Sequence, residues 1–217
     1  PPLYYLILHF FVTLKTNVFF TRLPSVIFGV MCIPAIYTLG KEFFGSRVGL
    51  MSAFLLAISP MLYWHAQEAR MYTLFCFLSL LSIIFFFKAL KDDGMKFWMG
   101  FIASNLLNAY THYFAFFLIL IQFLFVIIYR KNYAPIRGKL IISIMTILLL
   151  YIPQLISLYS GMQLKTDQGS TWGFQPTWQF LPQTFFKIAI GYCGFPGLKD
   201  FLNNLLLGNL HQANLYF

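Results

Sequence analysis

Residues 64–72 read WHAQEARMY and lie where one apolar run, residues 48–63, gives way to another, residues 71–90. Uncompensated charge is costly inside a bilayer, so ionisable residues beside membrane spans sit at an interface, in a cavity or in a binding site. The stretch therefore separates two predicted spans and is itself a candidate site. Its polar side chains are those of His65, Gln67, Glu68 and Arg70.

The composition of the 217-residue chain is that of a protein whose surface faces lipid. Its residues are 59% hydrophobic, 20% aromatic and only 10% charged, and its mean hydropathy is +0.73. A soluble domain carries roughly a quarter charged residues. We therefore expect an all-α fold, a polytopic transmembrane helical bundle.

Neither the net charge of +9 nor the cysteines indicate a nucleic-acid or metal site. The basic residues are scattered between apolar runs and form no continuous stripe. Cys32, Cys76 and Cys193 lack the spacing of metal ligands. The sequence also has no phosphate-binding loop, dinucleotide fingerprint or HExxH motif, so a soluble, nucleotide-driven active site is not expected.

A transmembrane helix needs about 20 largely apolar residues, and the apolar runs predict six membrane spans. Residues 97–129 are too long for one span at about 1.5 Å per residue. They are expected to fold back within YTHYF, residues 110–114, and so to form two helices. The other four predicted spans are residues 23–40, 48–63, 71–90 and 140–159.

The chain is divided into three parts by these spans. Residues 1–21 are an external interfacial segment, in which residues 1–11 should form a short helix with proline at its start. Residues 22–159 are the transmembrane helical core. Residues 160–217 form an external loop and a C-terminal helical segment, in which the pattern does not decide whether residues 185–210 span.

The Lys/Arg bias of short loops predicts the orientation. Alternation of the six spans places three connections on one side, and these carry nine of the fifteen basic residues, so that side should be cytoplasmic. The opposite, extracytoplasmic side then collects the start of the chain, WHAQEARMY, YTHYF and the loop after the last span. The nine basic residues are Lys41, Arg47, Lys88, Lys91, Lys96, Arg130, Lys131, Arg137 and Lys139.

Two arginines and a glutamate on the polar side could bind a ligand. The planar guanidinium of Arg70 suits a phosphate group, and the Glu68 carboxylate could accept protons or bind hydroxyls. Arg22, just outside the first predicted span, would supply a second cation. The alternatives are a structural Glu68–Arg70 pair that anchors a loop, and an Arg22 that extends its stem to the lipid headgroups.

His112 and two asparagines complete the polar candidates. His112 ends an apolar helix on the same side, where it would be a hydrogen-bonded interfacial residue or a sugar- or phosphate-contacting one. Asn105 and Asn108, about one helical turn apart, are expected to join helices by hydrogen bonds rather than to bind a ligand.

Four motifs in this order and spacing resemble the GT-C superfamily of membrane glycosyltransferases. The nearest branch is related to the dolichyl-phosphate-mannose protein mannosyltransferases and to the lipid A aminoarabinose transferase. The resemblance covers residues 1–129 well and fades afterwards. The motifs are PPLYYLILHFF, TRLPSVIFGV with its GKEFFGSRVGL turn, ISPMLYWHAQEARMY and YTHYF.

The resemblance implies transfer of a sugar from a polyprenyl-phosphate carrier to a protein, lipid or glycan acceptor on the extracytoplasmic face of a prokaryotic plasma membrane, usually with inversion. Arg22 matches the position of the family's carrier-phosphate arginine. The QEARMY and THYF motifs are similar to substrate-binding segments of the family. Their residues are Gln67, Glu68, Arg70, His112 and Tyr113.

The resemblance also implies that the catalytic acid lies outside this chain. In such enzymes the first external loop carries an acidic residue, and that loop would precede Pro1. The chain begins without an initiator methionine or a signal-peptide pattern, which indicates a fragment. Beyond the lipid-phosphate sugar itself, no cofactor is implied, the metal requirement stays open, and the other expected partners are membrane lipids but not nucleic acid.

Two other functions would also place arginines in a membrane protein. A transporter or flippase for a lipid-linked or anionic solute predicts polar groups near mid-membrane and broken helices in inverted repeats. A noncatalytic membrane protein predicts that Arg22 and Arg70 point apart.

Overall fold

The computed structural model describes residues 2–129 and 136–166, with side chains as far as residue 157. Arg130, Lys131 and Cys193 lie outside the described residues. Of the segment predicted for residues 160–217, only residues 160–166 are described, and they belong to a helix that continues from the last predicted span. The described part contains eight helices and no strand, which confirms the predicted all-α class. The helices are α1 (Leu3–Leu14), α2 (Val18–Phe44), α3 (Ser46–Ala57), α4 (Pro60–Gln67), α5 (Tyr72–Asp92), α6 (Met95–Thr111), α7 (Ala115–Ile128) and α8 (Arg137–Thr166).

Length and hydropathy support three or four of the six predicted spans. Helices α2, α5 and residues 137–157 of α8 are long and apolar enough to cross a membrane. Helices α3 and α4 together make a fourth candidate, bent by 53°. Helices α6 and α7 do fold back at the expected place, but they have only 17 and 14 residues. The count of six spans therefore stays a prediction.

The bend between α3 and α4 was not predicted, because residues 48–63 were interpreted as one continuous span. Proline disfavours helical backbone in the residue before it and is well suited to the first helical position. Ser59 is accordingly extended, with φ −66° and ψ 119°, and Pro60 begins α4. The helix that leads into the WHAQEARMY stretch thus starts in a new direction.

Helix α2 begins five residues before the predicted position 23. Asn17 caps it, since its side chain accepts a hydrogen bond from the Phe20 backbone N–H at 2.9 Å, as expected for a residue that satisfies a free amide at a helix start. Arg22 therefore lies within the helix rather than ahead of it. The helix ends at Gly45, whose φ of +88° favours glycine.

Small residues allow α2 and α3 to approach closely. A Cβ on Gly40 would lie 2.9 Å from the Gly49 Cα, and one on Gly49 would lie 2.8 Å from the Tyr37 carbonyl oxygen. Close backbone contact of this kind is how helices associate in lipid, where apolar burial gives little advantage. The α2–α3 hairpin therefore depends on two glycines.

Polar side chains join α5 to α6 and α7. The Asn108 amide donates to Ser79 Oγ at 3.0 Å, and the Gln122 amide donates to Ser82 Oγ at 2.8 Å. Asn108 thus joins helices as expected. Asn105 does not, because its amide donates to the Phe101 carbonyl of its own helix, so that part of the prediction was wrong.

Ion pairs bring the basic connections together at one end of the bundle, as the alternation of spans predicted. Lys91 Nζ lies 3.5 Å from Glu42 Oε1, and Lys139 Nζ lies 2.6 Å from Asp93 Oδ2. Hydrogen bonds from Lys139 and from the Trp98 indole lower the pKa of Asp93. The α2–α3 turn, the α5–α6 turn and the start of α8 therefore share this end, here called the basic end.

Candidate functional site

The polar residues singled out in the sequence gather at the opposite end of the bundle. The Tyr4 hydroxyl and Ser25 Oγ are 2.7 Å apart and buried. Ser25 Oγ donates to the Arg70 carbonyl oxygen at 3.2 Å, so the Tyr4 hydroxyl is the donor to Ser25. This relay connects α1, the start of α2 and the loop between α4 and α5.

Arg22 and Arg70 are attached to neighbouring backbone segments at this end. Arg22 precedes Ser25 by three residues, about one helical turn, and Ser25 holds the Arg70 backbone. Both arginines are exposed. Within the described residues, neither guanidinium has a hydrogen-bond or ion-pair partner. Two cations are therefore available to an external anion.

Glu68 is held by its own helix turn and not by Arg70. Its Oε1 accepts a hydrogen bond from the Trp64 indole at 3.2 Å, and its Oε2 lies 3.4 Å from His65 Nδ1. The alternative of a structural Glu68–Arg70 pair is therefore wrong for the described geometry. His65 and Glu68 are three residues apart, which brings their side chains to the same side of the helix turn.

Gln67 is not brought into this cluster. It is the last residue of α4 and is exposed. Within the described part of the chain, its side chain makes no hydrogen bond.

Aromatic contacts connect the WHAQEARMY loop to the YTHYF loop. The His65 and Tyr72 rings are 4.6 Å apart, and Tyr72 lies 6.5 Å from His112. The ring of Tyr113 lies 4.6 Å from that of His112, and Tyr113 itself is exposed. The two loops therefore form one rim.

His112 is a buried, neutral member of this rim. It is only 8% exposed, and its Nδ1 accepts a hydrogen bond from the Phe114 backbone N–H at 3.2 Å. Burial lowers the pKa of His112 because desolvation disfavours the imidazolium. An unprotonated Nδ1 leaves Nε2 as the donor, so His112 can donate a hydrogen bond.

Sequence reasoning missed the residues that hold the arginines in position. Tyr4 is fully buried, and so is Ser25. Both lie within recognised motifs, PPLYY and TRLPS, yet a tyrosine and a serine at an interface carry no distinguishing pattern. Their role follows only from the contact between α1, α2 and the α4–α5 loop.

The rim offers two free cations, one carboxylate and one imidazole donor, a set that suits an anionic group with sugar hydroxyls nearby. Among the described residues, no group of three or more His, Cys, Asp or Glu side chains could hold a metal ion.

The helices and this rim define an integral membrane protein of the all-helical class, with a polar site at one end of its bundle. Residues 1–156 match the family described as dolichyl-phosphate-mannose-protein mannosyltransferase. The chain belongs to this family of GT-C type. No curated protein and no solved structure matches the chain.

Proposed function

We propose that the protein transfers a sugar from a polyprenyl-phosphate donor to an acceptor at the extracytoplasmic membrane surface. Membership of the family implies a membrane glycosyltransferase with a lipid-linked donor. The concentration of basic residues at the opposite end of the bundle supports the extracytoplasmic orientation of the rim. Prokaryotic origin is part of the same proposal.

The observation that carries the proposal is the pair of free guanidinium groups on adjacent backbone segments. A polyprenyl tail partitions into lipid, so its phosphate lies at the headgroup boundary. Arg22 and Arg70, at the ends of apolar helices, are available there to bind it. As the glycosyl–phosphate bond breaks, charge develops on the leaving phosphate, and cations held in position stabilise it.

The other rim residues have roles that follow from their contacts. The Glu68 carboxylate, oriented by Trp64 and His65, would accept hydrogen bonds from sugar hydroxyls. His112 would donate from Nε2 to the donor phosphate or sugar, and the exposed ring of Tyr113, beside His112, would contact the same substrate. The glycosyl–phosphate bond of the donor supplies the free energy for transfer, so no nucleotide site is needed at this end.

The transporter alternative predicts broken helices, and the bent pair of α3 and α4 has this feature. That alternative also predicts polar groups near mid-membrane. The amides of Asn108 and Gln122 are buried polar groups, but each donates to a serine on α5 and so joins helices. Family membership supports the glycosyltransferase instead.

Removal of either arginine tests the proposal. We expect Arg70→Ala and Arg22→Ala, each in the full-length protein, to lower sugar transfer by about 100-fold or more, the usual cost of losing one group that stabilises developing charge. Transfer is measured from a polyprenyl-phosphate sugar to acceptor in membranes. Lys96→Ala, which removes an exposed cation at the basic end, is the matched control and should retain activity. Wild-type turnover by Arg70→Ala with an intact fold would contradict the assignment.

A further inference from the structure

A cleft lies between α2 and α5 at the basic end, far along the helices from the rim. Its volume is about 380 Å³, and it opens to the outside. A much smaller pocket of about 10 Å³ lies along the same two helices and is also lined by Thr38 and Ile84. The two pockets are adjacent because they share Glu42, Phe43 and Phe87, and together they are here called the groove, with a wide part and a narrow part.

The floor of this groove is apolar. The rings of Phe43 and Phe87 meet edge to face with centroids 4.5 Å apart. Leu90 closes the wide part, and Leu39 and Ile84 line the narrow part. Because α2 and α5 are both long enough to span the membrane, we expect this floor to lie against lipid.

Two lysines and one glutamate line the groove: Lys91 its wide part, Lys88 its narrow part and Glu42 both. Lys88 and Lys91 are one helical turn apart on α5, and Lys91 Nζ lies 3.5 Å from Glu42 Oε1. Both side chains of that pair are solvent-exposed, by 72% and 37%, so the pair is weak and easily exchanged. The groove as a whole therefore has a net charge of about +1 above an apolar floor.

We propose that this groove binds one anionic glycerophospholipid, with its phosphate at Lys88 and Lys91 and an acyl chain along the phenylalanine floor. A single negative charge matches the net charge of the groove, and basic pockets between spanning helices favour anionic headgroups. Glu42 competes with the lipid for Lys91. The lipid would hold α2 against α5 at the end opposite the rim. The proposal does not depend on the proposed sugar transfer.

Lipid retention by the purified full-length protein tests this inference. Native mass spectrometry counts phosphatidylglycerol, phosphatidylethanolamine and phosphatidylcholine retained from an equimolar mixture. We expect wild type to retain phosphatidylglycerol preferentially, and Lys88→Gln with Lys91→Gln to lower its occupancy about tenfold. Glu42→Gln should raise that occupancy, a gain that misfolding cannot produce.

The matched control is Lys41→Gln with Lys96→Gln, which removes the same charge from the same end. Lys41 packs against Gly49 on the α3 side of α2, away from the groove, and Lys96 lies on α6. This control should keep phosphatidylglycerol bound. An equal loss in both double variants, or lower retention in Glu42→Gln, would overturn the proposal. Preferential retention of phosphatidylethanolamine would overturn it too, since Glu42 would then be binding an ammonium group.

Discussion

His112 illustrates how the surroundings of one side chain set its chemistry. It lies at the C-terminal end of α6, buried against Phe75 and Tyr113, and receives a hydrogen bond at Nδ1. Protonation of Nδ1 would break that bond as well as place a charge in a poorly solvated position. The folded protein therefore binds the proton less well than the unfolded chain does.

This difference predicts a pH dependence of stability. The folded pKa of His112 lies below its ordinary value of 6.5, so the unfolded state binds more protons in the interval between the two. The contribution of His112 to stability is fully present above the unfolded pKa and is lost as the pH falls through the interval between the two values. We expect His112→Asn, which keeps an acceptor for the Phe114 N–H, to lose less thermal stability than wild type between pH 7 and pH 5.

The control for this prediction is His9→Asn, which removes an exposed histidine on α1. It should retain the wild-type pH dependence of the melting temperature in detergent. If His112→Asn and wild type lose the same stability on acidification, His112 is not the group that titrates.

Single residues were predicted unevenly from the sequence. The candidates Arg22, Arg70 and His112 were recognised by their type and by the end of a helix on which they fall. The partners of Glu68 were not, because they depend on the direction of α4 after the Ser59–Pro60 break.

The apolar runs of the sequence predicted the bounds of most helices well. Helix α5 and the fold-back between α6 and α7 agree closely with the expected bounds, since each is delimited by a charged turn or by YTHYF. Helix α2 starts earlier than its apolar run because Asn17 supplies a cap. Hydropathy alone does not detect caps or the bend at Pro60.

The close glycine contacts within the α2–α3 hairpin predict that an added methyl group destabilises the protein. Gly49→Ala should lower the free energy of unfolding by about 1–3 kcal/mol, because its Cβ would lie 2.8 Å from the Tyr37 carbonyl oxygen and the backbone must move. Unfolding in mixed micelles measures the change.

Gly138→Ala is the matched control for the hairpin. A Cβ there meets nothing within 4 Å, and alanine is the better helix former. Gly138→Ala should therefore leave stability unchanged or raise it by up to about 1 kcal/mol. Equal stability of Gly49→Ala and wild type would show that the two helices are less closely packed than described.

For the whole molecule, alternating spans and the Lys/Arg bias predicted that the polar motifs would share one end. The ion pairs at the basic end and the Tyr4–Ser25–Arg70 relay at the other agree with that arrangement. Hydropathy does not determine the number of spans, because the apolar helices α6 and α7 are shorter than the roughly 20 residues that cross a bilayer. Packing against neighbours, not hydropathy, positions them.

The sidedness of the two ends can be measured in intact cells. In a background in which the native cysteines are replaced, Thr16→Cys reports the rim end and Ser46→Cys the basic end; both positions are exposed. We expect a membrane-impermeant maleimide to label Thr16→Cys from outside and Ser46→Cys only after permeabilisation. The reverse pattern would place the rim in the cytoplasm.

The most direct test of the central claim is to map where the carrier phosphate binds. A polyprenyl-phosphate sugar with a photoreactive group in its first isoprene unit is cross-linked to the full-length protein, and the adducts are located by mass spectrometry. The account predicts adducts in residues 18–25 and 64–73, lost when unlabelled donor competes. Competable adducts confined to residues 38–47 and 84–96, at the basic end, would contradict it.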